Sequence, residues 1–217
     1  MSDTLIRHKV FSALRQEILS CNIRPGEEVR ENELARRFGV SKSPIRDALQ
    51  KLEFEGLVEI VPRRGHRVTP ISVADAQDML GLREILENGA LRQIAADASD
   101  ETLRGLDQLR VANTQQLSEF ASYNRGFHLT LCELSGNKRL AQVMAGLMEN
   151  YDRLCVVSLT SVRDEAGGME DALNDHNEII DALQARNATL AVRLSKRHLK
   201  KSRSQIMKGL ESRPIVA

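Results

Sequence analysis

The 217-residue chain is predicted to be mainly α-helical: a small winged helix-turn-helix followed by an all-α bundle of six helices. Three observations predict this. Aromatic residues make up only 3% of the chain, with no Trp, while Leu and Ala are plentiful, a balance that favours helices packed on helices. Apolar residues recur at helical spacing along most of the chain, and a hairpin pattern occurs only near residues 57–69. Hydrophobic residues at 41% and charged residues at 28% allow a real core at a length that suits two small domains.

The expected domains are residues 1–70 and 71–217. Net charge is only +1, but it is unevenly divided. Residues 1–70 carry 13 Lys/Arg against 10 Asp/Glu, whereas residues 71–217 carry 18 against 20. No stretch approaches the roughly 18 to 20 apolar residues of a membrane span. The start, MSDTLIRHKVF, lacks the apolar run of a secretory signal. Cys21, Cys132 and Cys155 are widely spaced in apolar helical patterns and read as reduced, buried thiols. The expectation is a cytoplasmic protein with no membrane partner.

The first helix is expected over Leu5–Leu19, where Leu5, Val10, Leu14 and Ile18 form an apolar stripe, and Pro25-Gly26 breaks the chain after it. A second helix fits Glu31–Phe38, with Gly39 as its left-handed cap. Ser41 or Ser43 can cap a third, roughly Pro44 to Glu55, with Pro44 tolerated in its first turn. Ile45, Ala48, Leu49 and Leu52 then face inward, and Gly56 ends it. Two strands follow, 57–61 and 66–69, joined by the turn Pro62-Arg63-Arg64-Gly65. That order is a helix-turn-helix with a basic-tipped wing.

This arrangement suits double-stranded DNA. The third helix exposes Lys42, Ser43 and Arg46 near its start, where a recognition helix meets base edges in the major groove. Lys or Arg can donate to guanine O6 and N7, and Ser can bond to phosphate or base. Arg63 and Arg64 could reach the minor groove or nearby phosphates. The competing reading is a three-helix interaction module whose basic residues are merely solvated.

The segment ENELARRFGVSKSPIRDALQKLEFEGLVEIVPRRGHRV, residues 31–68, resembles the DNA-binding half of the GntR family of bacterial regulators, mostly repressors. Carried over by position, the resemblance places DNA contacts on Asn32, Lys42, Ser43, Arg46, Arg63, Arg64 and Gly65. Many members have Arg where this chain has Lys42 and Asn32, which removes bidentate geometry at one position and a phosphate-binding charge at the other. A departure from the commonest operator is implied.

Beyond residue 70, helices are expected over 73–97, 100–117, 119–134, 138–163, 169–185 and 187–209, with Ser72 a plausible cap for the first. Breaks are marked by residues 97–100, by Ser135-Gly136-Asn137, by Gly167-Gly168 and by Arg186-Asn187. Three histidines, His128, His176 and His198, fall on the apolar faces of the third, fifth and sixth of these helices, with Asn124 one turn before His128. His176 lies ten residues before Arg186 and His198 twelve after. At 1.5 Å per residue these are about 15 and 18 Å, so a hairpin of the last two helices puts both rings at one level. Such histidines are either hydrogen-bonded core residues or ligands of a divalent transition metal, since imidazole suits zinc, nickel, copper and iron(II).

NRGFHLTLCELSGNKRL (124–140), DHNEIIDALQARNATLA (175–191) and His198 are similar to the FCD domain, the effector-binding partner in the FadR subgroup of GntR regulators. Six helices instead of seven point to the VanR-like branch. The resemblance implies a metal set of Asn124, His128, His176 and His198, with Asn124 standing where the family has Asp. Asn still offers a carbonyl oxygen, but one negative charge is lost.

Arg83 and Glu87 lie four apart on the first bundle helix. They read as a structural ion pair, or with Arg83 receiving the carboxylate of an organic-acid effector. Arg153 resembles another family cavity position. A second apolar face on the same helix (Met79, Leu82, Leu86, Gly89) suits a homodimer. The basic run from Arg193 to Lys208 reads as a solvated outer face, with a DNA-facing surface as the alternative.

The resulting expectation is a ligand-responsive repressor acting as a homodimer on a pseudo-palindromic operator. Two rivals are a metal-dependent enzyme using the histidines and an architectural DNA binder without a sensor. No HExxH, P-loop, GxSxG or CxxC motif accompanies the histidines, and Asp175 and Glu178 beside His176 are expected to point outward.

Overall fold

The computed structural model describes residues 3–159 and 168–211. Two compact units result, the first ending at Ser72 and the second beginning at Val73.

In the first unit, α1 (Asp3–Leu19), α2 (Glu31–Phe38) and α3 (Lys42–Phe54) enclose one side of the core. The second helix stops because Gly39 turns left-handed (φ 64°) and returns its N–H to the last turn, a conformation with no Cβ penalty at glycine. Ser41 precedes α3 in extended conformation, and Pro44 sits buried in the first turn, where no intrahelical N–H bond is lost. This helix therefore starts two residues earlier than the sequence suggests. Leu14, Ile18, Ile45, Leu49, Leu52 and Val68 meet in a closed apolar core.

Strands β2 (Val58–Val61) and β3 (Gly65–Val68) pair antiparallel, with Val58 opposite Val68 and Val61 opposite Gly65. A two-residue strand, β1 (Glu28–Val29), pairs with the other edge of β3, giving the order β1-β3-β2. The sequence reading missed β1, because two residues are too few for an alternating pattern. Its place is secured by bonds from Gly26 N–H to Val68 O and from Val68 N–H to Glu27 O, both 2.9 Å. At the wing turn Arg63 takes φ 66° and Gly65 φ 102°.

The second unit is a helical bundle of α4 (Val73–Asp97), α5 (Asp100–Gly105), α6 (Leu117–Leu134), α7 (Lys138–Leu159), α8 (Gly168–Gln184) and α9 (Ala188–Glu211). Helix α4 packs on α6, α7 and α9, and α8 and α9 form an antiparallel pair. Leu91, Ile94, Phe127, Leu131, Ile180, Leu183 and Ala191 lie at its apolar centre. The helix expected over 100–117 is much shorter. It tightens into a 3-10 turn at Leu106–Leu109 and gives way to a loop. Two causes are visible. Arg110 is drawn to Asp107 and Asp181 (2.7 Å each), and Asn113 Oδ1 caps the Gln115 N–H at 2.9 Å in a turn that competes with helix. The end of the fourth bundle helix expected at 163 and the break at Gly167 lie outside the described residues. Among the described residues, no helix is long and apolar enough to cross a membrane.

Candidate functional site

The winged unit presents Asn32, Lys42, Ser43, Arg46, Arg63, Arg64 and Gly65 to solvent. Ile45, Ala48 and Leu49, buried in the core, fix the side of α3 on which Lys42, Ser43 and Arg46 emerge. A shallow groove between α2 and α3 is lined by Asn32, Arg36, Gly39 and Lys42 among others. The sequence reading passed over Arg36, whose part in this groove depends on how the two helices meet. It also passed over two acids. Arg46 Nε donates to Glu31 Oε2 at 2.8 Å, and Arg64 Nη1 stands 3.5 Å from Glu28 Oε1.

The second unit gathers His128 from α6, His176 from α8 and His198 from α9. All three are buried, and one ring nitrogen of each lies within 4.8 Å of the others. Phe127 stacks on His176 at 3.8 Å with 9° between the rings, which fixes that imidazole in rotation. Each ring turns Nδ1 toward an oxygen behind it. His176 Nδ1 is 3.1 Å from the Tyr123 hydroxyl, His198 Nδ1 is 3.5 Å from Asp175 Oδ2, and His128 Nδ1 is 3.0 Å from Glu87 Oε1.

These partners assign the tautomers. Tyr123 donates its proton to Leu109 O at 2.8 Å, so its oxygen accepts from His176 Nδ1–H. Asp175 and Glu87 are carboxylates and can only accept while ionised. The proton on His176 therefore belongs on Nδ1, leaving its Nε2 lone pair bare; at His198 and His128 the nearby carboxylates favour the same tautomer by charge, without hydrogen-bond geometry. His176 Nε2 and His198 Nε2 face one another at 3.3 Å, within hydrogen-bond reach, and both ring nitrogens of His128 are buried without a hydrogen-bond partner. Lone pairs so opposed repel unless a cation or a proton lies among them.

The electrostatics agree with that assignment. Burial, then the charge of Arg83, lowers His128 to about 3, despite the opposing pull of Glu87. Burial and the other two imidazoles push His176 well below 6.5. Burial works against an ionised Asp175, but His198 and Lys201 outweigh it and bring the carboxyl down to about 2. Desolvation likewise opposes ionisation of Glu87, yet His128 and Arg83 hold it below the usual carboxylate range. Neutral imidazoles backed by carboxylates form a donor set for a divalent transition metal. At a Zn–N distance of about 2.0–2.1 Å, two tetrahedral nitrogen ligands stand about 3.3–3.4 Å apart, which matches the His176–His198 spacing. The residues present fit such an ion.

Asn124 is half-buried one turn before His128, with no hydrogen bond among the described residues. Asp175 departs from expectation. It is buried and directed at His198, because Lys201 (2.8 Å) and Arg197 (3.2 Å) from α9 cover its outer side. Those two members of the basic run are thus tied to this site and are not simply solvated. Glu178 does face outward, paired with Arg197.

Arg83 and Glu87 form a buried ion pair at 2.6 Å, and Ser195 donates to the second Glu87 oxygen at 3.3 Å. Glu87 thereby joins Arg83 to the imidazole cluster. Arg83 also lies over the Tyr151 ring, 4.5 Å from its centroid, while its Nη1 and Nη2 are buried with no hydrogen-bond partner. Arg153 is buried on α7.

Comparison with known proteins follows the same division. Residues 6–68 match the model of bacterial regulatory proteins of the gntR family, and residues 78–201 match the FCD domain. The HTH-type transcriptional repressor RspR of Escherichia coli (strain K12) is 29% identical over 199 residues, covering 89% of this chain and 86% of that protein. An HTH-type transcriptional regulator from an unstable DNA locus of Streptomyces ambofaciens is 32% identical over 200 residues, covering 89% and 82%. Among solved structures, a GntR transcriptional regulator from Rhodococcus sp. RHA1 superimposes with a TM-score of 0.74 at 22% identity, covering 93% of this chain and 97% of that one. These matches set aside the enzyme reading. The chain belongs to the GntR family of bacterial regulators and is a DNA-binding transcription regulator with an FCD domain behind its helix-turn-helix.

Proposed function

We propose that this regulator is a repressor that binds a pseudo-palindromic operator as a homodimer and is controlled by a small organic acid and a divalent transition metal. Asn32, Lys42, Ser43 and Arg46 would face the major groove, with Arg63, Arg64 and Gly65 of the wing on the backbone or minor groove. His128, His176 and His198, with Asn124 as an oxygen donor, would hold zinc or nickel. Such an ion supplies a Lewis-acidic position for an effector oxygen. Arg83 would take the effector carboxylate, with Arg153 in the same bundle.

One observation carries the sensing half of this reading: both ring nitrogens of His128 and two Arg83 nitrogens are buried without hydrogen-bond partners in a single unit, beside the facing Nε2 atoms of His176 and His198. Neither set is satisfied by the protein, and burying unmatched polar groups is costly. Homodimerisation is supported by the open apolar face of α4, where Leu82 is 40% and Ile85 69% exposed. The repressor sign is supported by the name of the Escherichia coli relative.

The test begins with operator duplexes selected from a random pool by full-length protein. Mobility shifts with a panel of carboxylates, with and without zinc or nickel, then measure the control. A coupling of about 1–3 kcal/mol predicts a 5- to 150-fold loss of DNA affinity with the right acid. Binding unaffected by every acid and metal would leave a DNA binder without a sensor.

A further inference from the structure

We infer that Glu31 is a specificity-determining residue that aims Arg46 at a base edge and keeps it off the phosphates. The inference rests on the DNA-facing reading of α3. Arg46 emerges from a well-anchored turn, since Ile45 and Ala48 beside it are buried in the core. Its long side chain is 64% exposed and would otherwise sample many rotamers. Glu31, at the first position of α2, is only 25% exposed and sits where a helix N-terminus favours a carboxylate.

The single bond between them uses Arg46 Nε. Nη1 and Nη2 have no protein partner among the described residues, so the donors matching guanine O6 and N7 remain available. Held by its Nε edge, the guanidinium reaches outward with much of its ordering already done. Glu31 also penalises the wrong contact. If Arg46 swings away to a phosphate, a bare carboxylate is left beside the negatively charged backbone. On a sequence without the matching guanine, Arg46 therefore stays on Glu31 and adds little non-specific affinity. The sequence reading took Arg46 as a contact and gave Glu31 no role, because the two are fifteen positions apart on different helices.

The test uses full-length wild type, Glu31→Ala and Glu31→Gln on a selected operator, on random-sequence duplex, and on operators changed one base pair at a time. The base pair read by Arg46 is the one whose preference Arg46→Ala removes. For Glu31→Ala, discrimination at that base pair should fall about 5- to 10-fold while the other positions keep theirs. Affinity for random duplex should hold or rise, with a steeper salt dependence as Arg46 turns to phosphate. Glu31→Gln, near in shape and still able to accept from Nε, should recover part of the discrimination; it also serves as the variant to read if Glu31→Ala does not fold. Unchanged discrimination at that base pair, or an equal loss at every position, overturns the role of Glu31 and leaves the DNA-facing reading intact. Failure to select any operator overturns both.

Discussion

Two Arg–Glu pairs, one in each unit, share chemistry and differ in solvent. Arg46 and Glu31 meet at 2.8 Å on the surface of the winged unit, whereas Arg83 and Glu87 meet at 2.6 Å with side chains 1% and 2% exposed. The exposed pair gives up little water and is screened by salt, so it can open and re-form around a ligand at small cost. Its buried counterpart has surrendered its hydration and depends on every remaining neighbour. A surface that must grip and release DNA is assembled from the first kind of contact. A sensor core of the kind proposed, whose unmet valences would select a ligand, requires the second.

Removing one partner separates the two most sharply. Glu87→Ala strands the Arg83 charge in the core and takes a carboxylate from His128, so an unfolding cost of about 3–5 kcal/mol is expected. Denaturant unfolding of the full chain measures it. In the same assay Glu31→Ala should change stability by less than about 1 kcal/mol. Equal costs would mean that solvent does not separate the two pairs.

Ligand-linked stability comes next. Zinc at about a hundred times its dissociation constant should raise the stability of the chelator-stripped protein by about 2.7 kcal/mol. His198→Ala should abolish that increment whatever its effect on the metal-free baseline. Thermal unfolding with and without zinc reads both. An increment that survives His198→Ala would place the ion elsewhere.

How much of this could be read from the sequence differs between the units for a physical reason. The contact face of α3 follows from local periodicity: once Ile45, Ala48 and Leu49 are inward, Lys42, Ser43 and Arg46 must be outward. The level shared by His176 and His198 follows from counting residues across one hairpin. Their oxygen partners do not. Tyr123 and His176 are 53 residues apart, and Asp175 meets His198 from the neighbouring helix. Asp175 was expected to face outward because the periodicity of α8 says nothing about Lys201 and Arg197 arriving from α9. The shortened second bundle helix escaped notice because Arg110 is pulled out of helical register by Asp181, a residue 71 positions away.

Acid should also act on the two units unequally. His128 protonates at about 3 in the folded protein against an ordinary 6.5. An unfolded chain takes up that proton first as pH falls through 6.5. The corresponding stability is therefore full above 6.5 and is lost progressively between 6.5 and about 3. One unit below 6.5 the loss from this group is about 1.4 kcal/mol in metal-free protein. His176, shifted the same way, adds to it. Calorimetric melts of chelated protein between neutral pH and pH 5 should show the loss, and a flat profile would mean the imidazoles are hydrated in the native state.

The smallest expected effect lies at the wing tip and concerns binding only. Arg64 is 72% exposed and 3.5 Å from Glu28, too far and too wet for the pair to contribute measurably to stability. If it faces a phosphate, Arg64→Ala should leave the unfolding midpoint unchanged and weaken binding to operator and random duplex by the same factor. The slope of log affinity against log salt should fall in magnitude by about one, the signature of one fewer released counterion. Arg46→Ala should behave differently, losing about 1–3 kcal/mol at a single base pair. Arg64 differs from Arg46 in the acid beside it. Glu31 holds the Arg46 guanidinium at 2.8 Å, while Glu28 stands off from Arg64 and leaves it free to follow the backbone. A base-specific loss on removing Arg64 would mean the wing reads sequence as well, and that a loosely held arginine can do so without a carboxylate to aim it.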